Sequence, residues 1–435
     1  MSDASVALLA QRLSDPVALA ARVTASEHAD LARTRALWHP QSLADGHAGV
    51  ALLFAALAHG SPEYARTAHA HLSAAVTGVR RSPREGLYSG LPAVAFAART
   101  AVTGPGQYAG LLDRLDGQVA VLARKLIDAD APRIAAGTAG ARMAGYDVIA
   151  GLSGLGRLLL AAGSAHRATT ELVLAHLVAL TRPVTGPGGQ SLPGWWTADP
   201  ILFSEPDGVP GGHFNAGLAH GIPGPLALLS LAYRAGVRVP GQEQAIRDIA
   251  EWLLARRSTD GTGWPNIVPL DAELTAAAGG RPDLGQVRAG WCYGSPGVAR
   301  ALQLASLALA EPDWNRQAVA AVIATCDRRD GARAHGDATL CHGLAGLATV
   351  ATLMSREPGG GELTRRIGEL TDALRRAADP EHPFLWPAAD PDSPTPVHRP
   401  GFLDGASGTA LALRLTLDPS APTSELPWYA ALLLA

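Results

Sequence analysis

Two kinds of apolar pattern alternate along this chain. The first is a Gly-x-x-Gly turn that runs into a stretch almost free of charge. It occurs as DGHAGVALLFAA from Asp45, SGLPAVAFAA from Ser89, AGLSGLGRLLLAA from Ala150, HGIPGPLALLSLA from His220, YGSPGVARALQLA from Tyr293, HGLAGLATVATL from His342 and DGASGTALALRL from Asp404. The second copy departs, with Ala93 where the others carry their second glycine. Helices of this composition are apolar on every side and must be buried. The other pattern is amphipathic and charged: EYARTAHAHLSAAV from Glu63, QYAGLLDRLDGQVAVLARKL from Gln107, QEQAIRDIAEWLLARR from Gln242 and ELTRRIGELTDALRRAA from Glu362. These read as solvent-facing helices with charge pairs one turn apart.

The order is therefore outer helix, glycine turn, inner helix, seven times over. Repeats that bury one helix and expose the next form solenoids or closed rings. The terminal copies resemble the middle ones and carry no polar cap, which favours closure. The expected fold is all-α, an α/α toroid of seven inner and seven outer helices, as one domain over 1–435. The glycines then have a structural task, turning the backbone tightly where the inner helices begin. Positions 183–212 break the pattern. They are rich in Pro and Gly, lack helical periodicity, and read as an irregular insertion on the face where the glycine turns lie.

Composition narrows the function. With 47% hydrophobic and 17% charged residues and a formal net charge of -3, the chain has a large aliphatic core and no basic block. Nucleic acid is a poor partner for such a surface. The start, MSDASVALLAQRLSDPVALAARV, is an amphipathic helix pattern without the basic and continuously apolar regions of a signal peptide. No apolar run approaches a membrane span, so a cytoplasmic protein is expected. Three cysteines, Cys292, Cys326 and Cys341, argue against a disulfide framework and leave metal or redox roles open.

Because the glycine turns open every inner helix at the same end, residues just ahead of them are expected to converge. Cys292 and Cys341 each lie two before their glycine, His220 and His342 one before, and Asp147 four before Gly151. Cys326 instead falls on the apolar face of RQAVAAVIATCD and reads as a small core residue. The matched offset and the adjacent His342 favour Cys292, Cys341 and His342 as zinc ligands, although their spacing matches no zinc-finger pattern. Structural zinc takes four protein ligands; three with an open position is the catalytic arrangement. Two thiolates donate charge and blunt the acidity that makes hydroxide, so the set suits capture and alkylation of a thiol better than hydrolysis.

GLAHGIPGPLALL, WCYGSPGVA and LCHGLAGL, with SLADGHAGVALL from Ser42, YDVIAGLSGLGRLLL from Tyr146 and PGFLDGASGTALAL from Pro400, resemble the motifs of the lanthionine cyclase family, the LanC-like proteins. The resemblance covers nearly the whole chain. It implies an α/α toroid with central zinc, held by Cys292, Cys341 and His342. It places the proposed acid/base histidine on His220, its orienting carboxylate on Asp147, and a family arginine on Arg288. The implied reaction adds a peptide cysteine thiolate to dehydroalanine or dehydrobutyrine in a precursor peptide, giving lanthionine or methyllanthionine. An N-cap is the competing role for Asp147, and a capping or core role for His220. Arg288 either holds the enolate oxygen or pairs with Asp147.

The implied partners are a precursor peptide with its leader, a separate dehydratase and an exporter, with a peripheral place at the membrane through that complex. The first repeat begins near residue 42, so a stand-alone cyclase is expected rather than a fused synthetase. Two other readings stand beside it. One is an enzyme of this kind adding glutathione to dehydroamino acids; the other is a non-catalytic, zinc-stabilised peptide-binding scaffold. His213, His335 and His398 lie in polar loops and are weaker candidates for substrate contact. Trp195 and Trp196 either line a peptide groove or cover the core.

Overall fold

A computed structural model describes residues 3–29, 38–79, 85–138, 140–200, 209–258, 260–282, 284–285, 287–328, 337–388, 397–420 and 424–435. By its internal contacts the chain divides into two compact units, Met1–Gly117 with Arg328–Ala431 and Gln118–Asp327 with Leu432–Ala435. His335 and the part of the expected insertion at 201–208 lie outside the described residues.

All seven glycine-led stretches are helices. In the first unit these are His47–Ala58, Leu91–Thr100, Leu344–Ser355 and Ala406–Leu417; in the second, Leu152–Ala162, Pro223–Arg234 and Ser295–Leu309. Each begins one or two residues after the first glycine of its pair. Burial follows composition: every described residue from His47 to Ala58 except Ala56 is buried, and Ser295–Leu309 is buried from Ser295 through Ser306. In the first unit, Leu344–Ser355 packs on Ala406–Leu417, which packs on His47–Ala58, which packs on Leu91–Thr100. In the second, Leu152–Ala162 packs on Pro223–Arg234, which packs on Ser295–Leu309.

The charged segments form the covering helices Tyr64–Gly78, Ala109–Ala136, Gln242–Ala255 and Thr364–Arg376. Gln242–Ala255 buries Ala245, Ile246, Ile249, Ala250, Trp252 and Leu253, a stripe at helical spacing. Thr364–Arg376 buries only Leu370, Thr371 and Leu374 and pairs Arg365 with Glu369 on its wet side. The N-terminal pattern is two helices, Ala4–Leu13 and Pro16–Ala29, rather than one. The Asp15 carboxylate accepts from the Val17 and Ala18 amides, and Pro16 at the first helical position starts a new helix.

One loop geometry precedes six of the seven inner helices. An amide in the first turn, or at the cap just before it, donates to the carbonyl seven residues earlier: Gly49 to Ser42, Gly154 to Asp147, Ile222 to Asn215, Ser295 to Arg288, Leu344 to Asp337 and Ala406 to Arg399, at 2.9–3.3 Å. The chain thus folds back onto the helix end it is about to enter, satisfying donors the helix leaves open. That fold-back is why glycine is needed. A Cβ on Gly343 would lie 2.4 Å from the Asp337 carbonyl, and one on Gly294 would lie 2.3 Å from the Arg288 carbonyl at a φ of 133°. The copy carrying Ala93 reaches its helix differently, through a Gly86–Ser89 bridge and a Gly90 at φ 75°.

Short strands support the second unit's site. His213–Asn215 pairs antiparallel with Ile267–Pro269, in the register His213 to Pro269 and Asn215 to Ile267. Val184–Thr185 and Ser191–Leu192 form a hairpin in the irregular segment. Trp195 and Trp196 are 3% and 7% exposed, so of the two roles open to them they cover the core. Among the described residues no helix is long and apolar enough to cross a membrane.

Candidate metal and proton-transfer site

The turns of the second unit are tied to one another backbone to backbone. The Val148 amide donates to the Ala219 carbonyl at 2.9 Å, and the Ala219 amide donates to the Cys292 carbonyl at 3.3 Å. Each of these residues is, or adjoins, a candidate: Asp147 precedes Val148, His220 follows Ala219, and Cys292 ends the run. Three segments far apart in sequence are drawn together by main-chain bonds before any side chain acts. Trp291, beside Cys292, is fully buried and donates its indole N–H to the Leu432 carbonyl at 3.0 Å, fixing the loop from behind.

Asp147 divides its oxygens. Oδ1 accepts from the Ala150 and Gly151 amides at 2.8 and 2.7 Å, ahead of the helix Leu152–Ala162. Oδ2 accepts from His220 Nδ1 at 2.7 Å. The carboxylate is 3% exposed and the imidazole 33%, so the ring is held from its buried side and reaches solvent on the other. The side chain braces the turn with one oxygen and holds the His220 ring with the other; it does not cap the helix, whose N-cap is Gly151 without a side-chain bond. Burial by itself would lower the His220 pKa. The hydrogen bond that His220 donates to Asp147, the charge of Asp147 and that of Cys292 outweigh burial and raise it above the ordinary value. His220 therefore holds its proton to higher pH than a free imidazole does, with Nε2 left to donate it.

Tyr293 follows Cys292, and its ring lies 6.2 Å from that of His220. Its hydroxyl accepts from Asn215 Nδ2 at 3.0 Å, from the end of the strand His213–Asn215. Arg288 is exposed, and its carbonyl carries the turn bond to Ser295. Among the described residues no ion pair joins it to Asp147.

Within the first unit, main-chain bonds likewise hold the turn that carries Cys341 and His342. The Leu340 and Cys341 amides both donate to the Leu403 carbonyl at 3.0 Å, and the Phe402 and Leu403 amides donate to the Ala44 carbonyl at 2.6 and 3.2 Å. Cys341 is half-buried and outside any disulfide, as is Cys292 in the second unit. His342 is 42% exposed, and its Nε2 lies 3.1 Å from Asp337 Oδ2. Its Nδ1 lies 3.7 Å from Asp404 Oδ1, beyond hydrogen-bond range. Asp404 is also 3.4 Å from Arg399.

Sequence reasoning singled out neither Asp337 nor Asn215. Both lie six before the first glycine of their pair, as Arg288 and Arg399 do, and this shared offset is the signal that finds them. Of the weaker candidates, His213 is buried in its strand, with its pKa pushed down to about 4 by burial. His398 stacks on His382 at 4.6 Å. Cys326 is half-buried near the end of the helix Pro312–Asp327.

Comparison with known proteins gives the geometry a family. The sequence profile of the lanthionine synthetase C-like proteins matches residues 37–432. The nisin biosynthesis protein NisC of Lactococcus lactis subsp. lactis is 26% identical over 275 residues, which span 62% of each chain. A solved structure of nisin cyclase superposes with a TM-score of 0.74 at 22% identity, covering 96% of this chain and 97% of that one. A likeness of this extent carries the fold, an all-α α/α toroid. The chain belongs to the lanthionine synthetase C-like family.

Proposed function

We propose that this chain is a zinc-dependent lanthionine cyclase, closing thioether rings in a dehydrated precursor peptide. Cys292, Cys341 and His342 form a group that could hold a metal ion. Its donor chemistry fits zinc: two thiolates and one neutral imidazole, with a fourth position left for substrate. Family membership and the likeness to a nisin biosynthesis protein support the same reading. The chemistry zinc supplies when bound there is the lowering of a substrate thiol's pKa, so that sulfur is nucleophilic at neutral pH.

The observation that carries the reading is the His220–Asp147 pair at 2.7 Å on the turn bonded to that of Cys292. A structural metal centre has no need of a carboxylate-held imidazole beside a ligand loop; a conjugate addition does. The substrate sulfur forms a bond to the β-carbon of dehydroalanine or dehydrobutyrine, and the carbon–carbon π bond breaks toward the α-carbon. His220 Nε2 delivers the proton that the α-carbon then takes. Asp147 keeps Nδ1 protonated and stabilises the imidazolium. Arg288, exposed four before Cys292, takes the role of partner to the enolate oxygen in this reading. The precursor peptide arrives from a separate dehydratase, and the peptide leaves toward an exporter on the cytoplasmic side.

His220→Ala tests this with a dehydrated precursor peptide as substrate, by counting free thiols and resolving the thioether stereoisomers. The expected result is retained peptide binding with ring formation slowed about 10²–10⁴-fold, or loss of a single configuration at the α-carbon. Full rate and unchanged stereochemistry would leave a peptide-binding scaffold as the better description.

A further inference from the structure

The Asp337 carboxyl is 1% exposed and accepts on both oxygens. Oδ1 takes the Thr339 amide at 2.9 Å. Oδ2 takes the Thr339 hydroxyl at 3.1 Å and lies 3.1 Å from His342 Nε2. A carboxylate held by these donors can only accept, so the nitrogen facing it must carry the proton. Neutral imidazole has one proton, so Nδ1 is left with the lone pair. Asp404 Oδ1 stands 3.7 Å from Nδ1, beyond hydrogen-bond range.

We propose that Asp337 is a positioning residue for the metal centre. It fixes His342 in the Nε2-protonated tautomer and aims the Nδ1 lone pair for coordination. The inference rests on the Cys292–Cys341–His342 reading above. Its physical basis is general: a ligating histidine is oriented, and made more basic, by a carboxylate on its other nitrogen. Here that carboxylate is built into the fold, because the Asp337 carbonyl also accepts the Leu344 amide at 3.0 Å and closes the turn that presents His342. Asp337 occupies the same place in its turn as Arg288 does in its own, six before the first glycine.

Asp337→Asn is the discriminating substitution. Asn keeps an oxygen for the Thr339 amide but turns an N–H donor toward His342. The ring is then favoured in its other tautomer, with Nδ1 protonated and unable to bind metal. Zinc dissociation constants would be measured by competition with a chromophoric chelator on the full chain, alongside thermal midpoints of the zinc-free proteins. The expected result is a 10–100-fold weaker constant for Asp337→Asn, with Thr339→Val within about twofold of wild type because it leaves the tautomer alone. An unchanged constant for Asp337→Asn, with wild type binding zinc, overturns the role of Asp337 alone. Wild-type protein that binds no zinc overturns the metal reading on which it rests. Should Asp337→Asn fail to fold, ¹⁵N spectra of histidine-labelled, zinc-free wild type decide the matter. His342 in the Nε2–H tautomer supports the proposal, and His342 in the Nδ1–H tautomer refutes it.

Discussion

Asp147 shows how much one buried side chain can carry. Its Oδ1 holds two amides of the turn and its Oδ2 holds His220, so an alanine there would remove the turn's brace and the histidine's partner together. Asparagine separates the two. With Oδ1 kept as an acceptor for the turn amides, Asp147→Asn should cost about 1 kcal/mol of stability or less. It would present an N–H to Nδ1 of His220 and favour the wrong tautomer. Ring formation should then fall on the order of 10²-fold or more, read as free-thiol loss, while urea unfolding stays near wild type. A second buried pair belongs to stability alone. His71 Nε2 donates to the Leu13 carbonyl at 2.8 Å, leaving its Nδ1 to accept from His47 Nδ1 at 3.1 Å, so both rings are neutral. Burial pushes both pKa values down to about 4, aided at His47 by the charge of His71 and opposed at His71 by Leu13 and Asp15. Unfolded histidine titrates near 6.5. Between these values the unfolded chain binds more protons, so stability is lost as pH falls from about 6.5 toward 4, by on the order of 3 kcal/mol per ring at most. His71→Gln, which can make the same bonds without titrating, should flatten that slope in urea unfolding at pH 7 and pH 4.5. An equal slope in wild type and variant would contradict the assignment.

At the scale of the element, the glycine turn is the unit that repeats, and its cost to mutation should depend on the fold-back. Gly343→Ala sets a Cβ against the main chain of Asp337 and Thr339 at 2.4 and 2.5 Å, which only a backbone shift relieves. The expected loss is about 1–3 kcal/mol. Gly117 lies in the covering helix Ala109–Ala136 with nothing within 4 Å of a Cβ, so Gly117→Ala should stabilise by about 0.5–1 kcal/mol. Chemical denaturation of both variants checks the contrast. The inner helices were legible because their charge-free runs leave no other place for them. The N-terminal break was legible in principle, since Asp15–Pro16 is a helix start, yet the continuous amphipathic pattern masked it. Asp337 was not legible as a site residue. An Asp in a polar segment ahead of a glycine looks like turn chemistry, and its 3.1 Å approach to His342 depends on how five residues fold back. The tryptophans of the Pro/Gly-rich segment were ambiguous because burial beneath a loop leaves no periodic signature.

For the whole molecule, the repeat offset is what turns sequence into site. Cys292 and the Cys341–His342 pair come from different repeats, and main-chain bonds hold the turn that carries each. Metal binding by such a set stabilises the folded chain by mass action, so chelation should lower the thermal midpoint reversibly, and added zinc should restore it. The central claim is narrower: a two-sulfur zinc site with a place kept for a third. Zinc X-ray absorption on the purified protein, before and after a cysteine-containing peptide is added, addresses it without knowledge of the true precursor. The account predicts two sulfur ligands at rest and three with peptide. Three sulfurs at rest, unchanged by peptide, would mean that Cys326 closes the site and that the zinc is structural, and the proposed chemistry would be wrong.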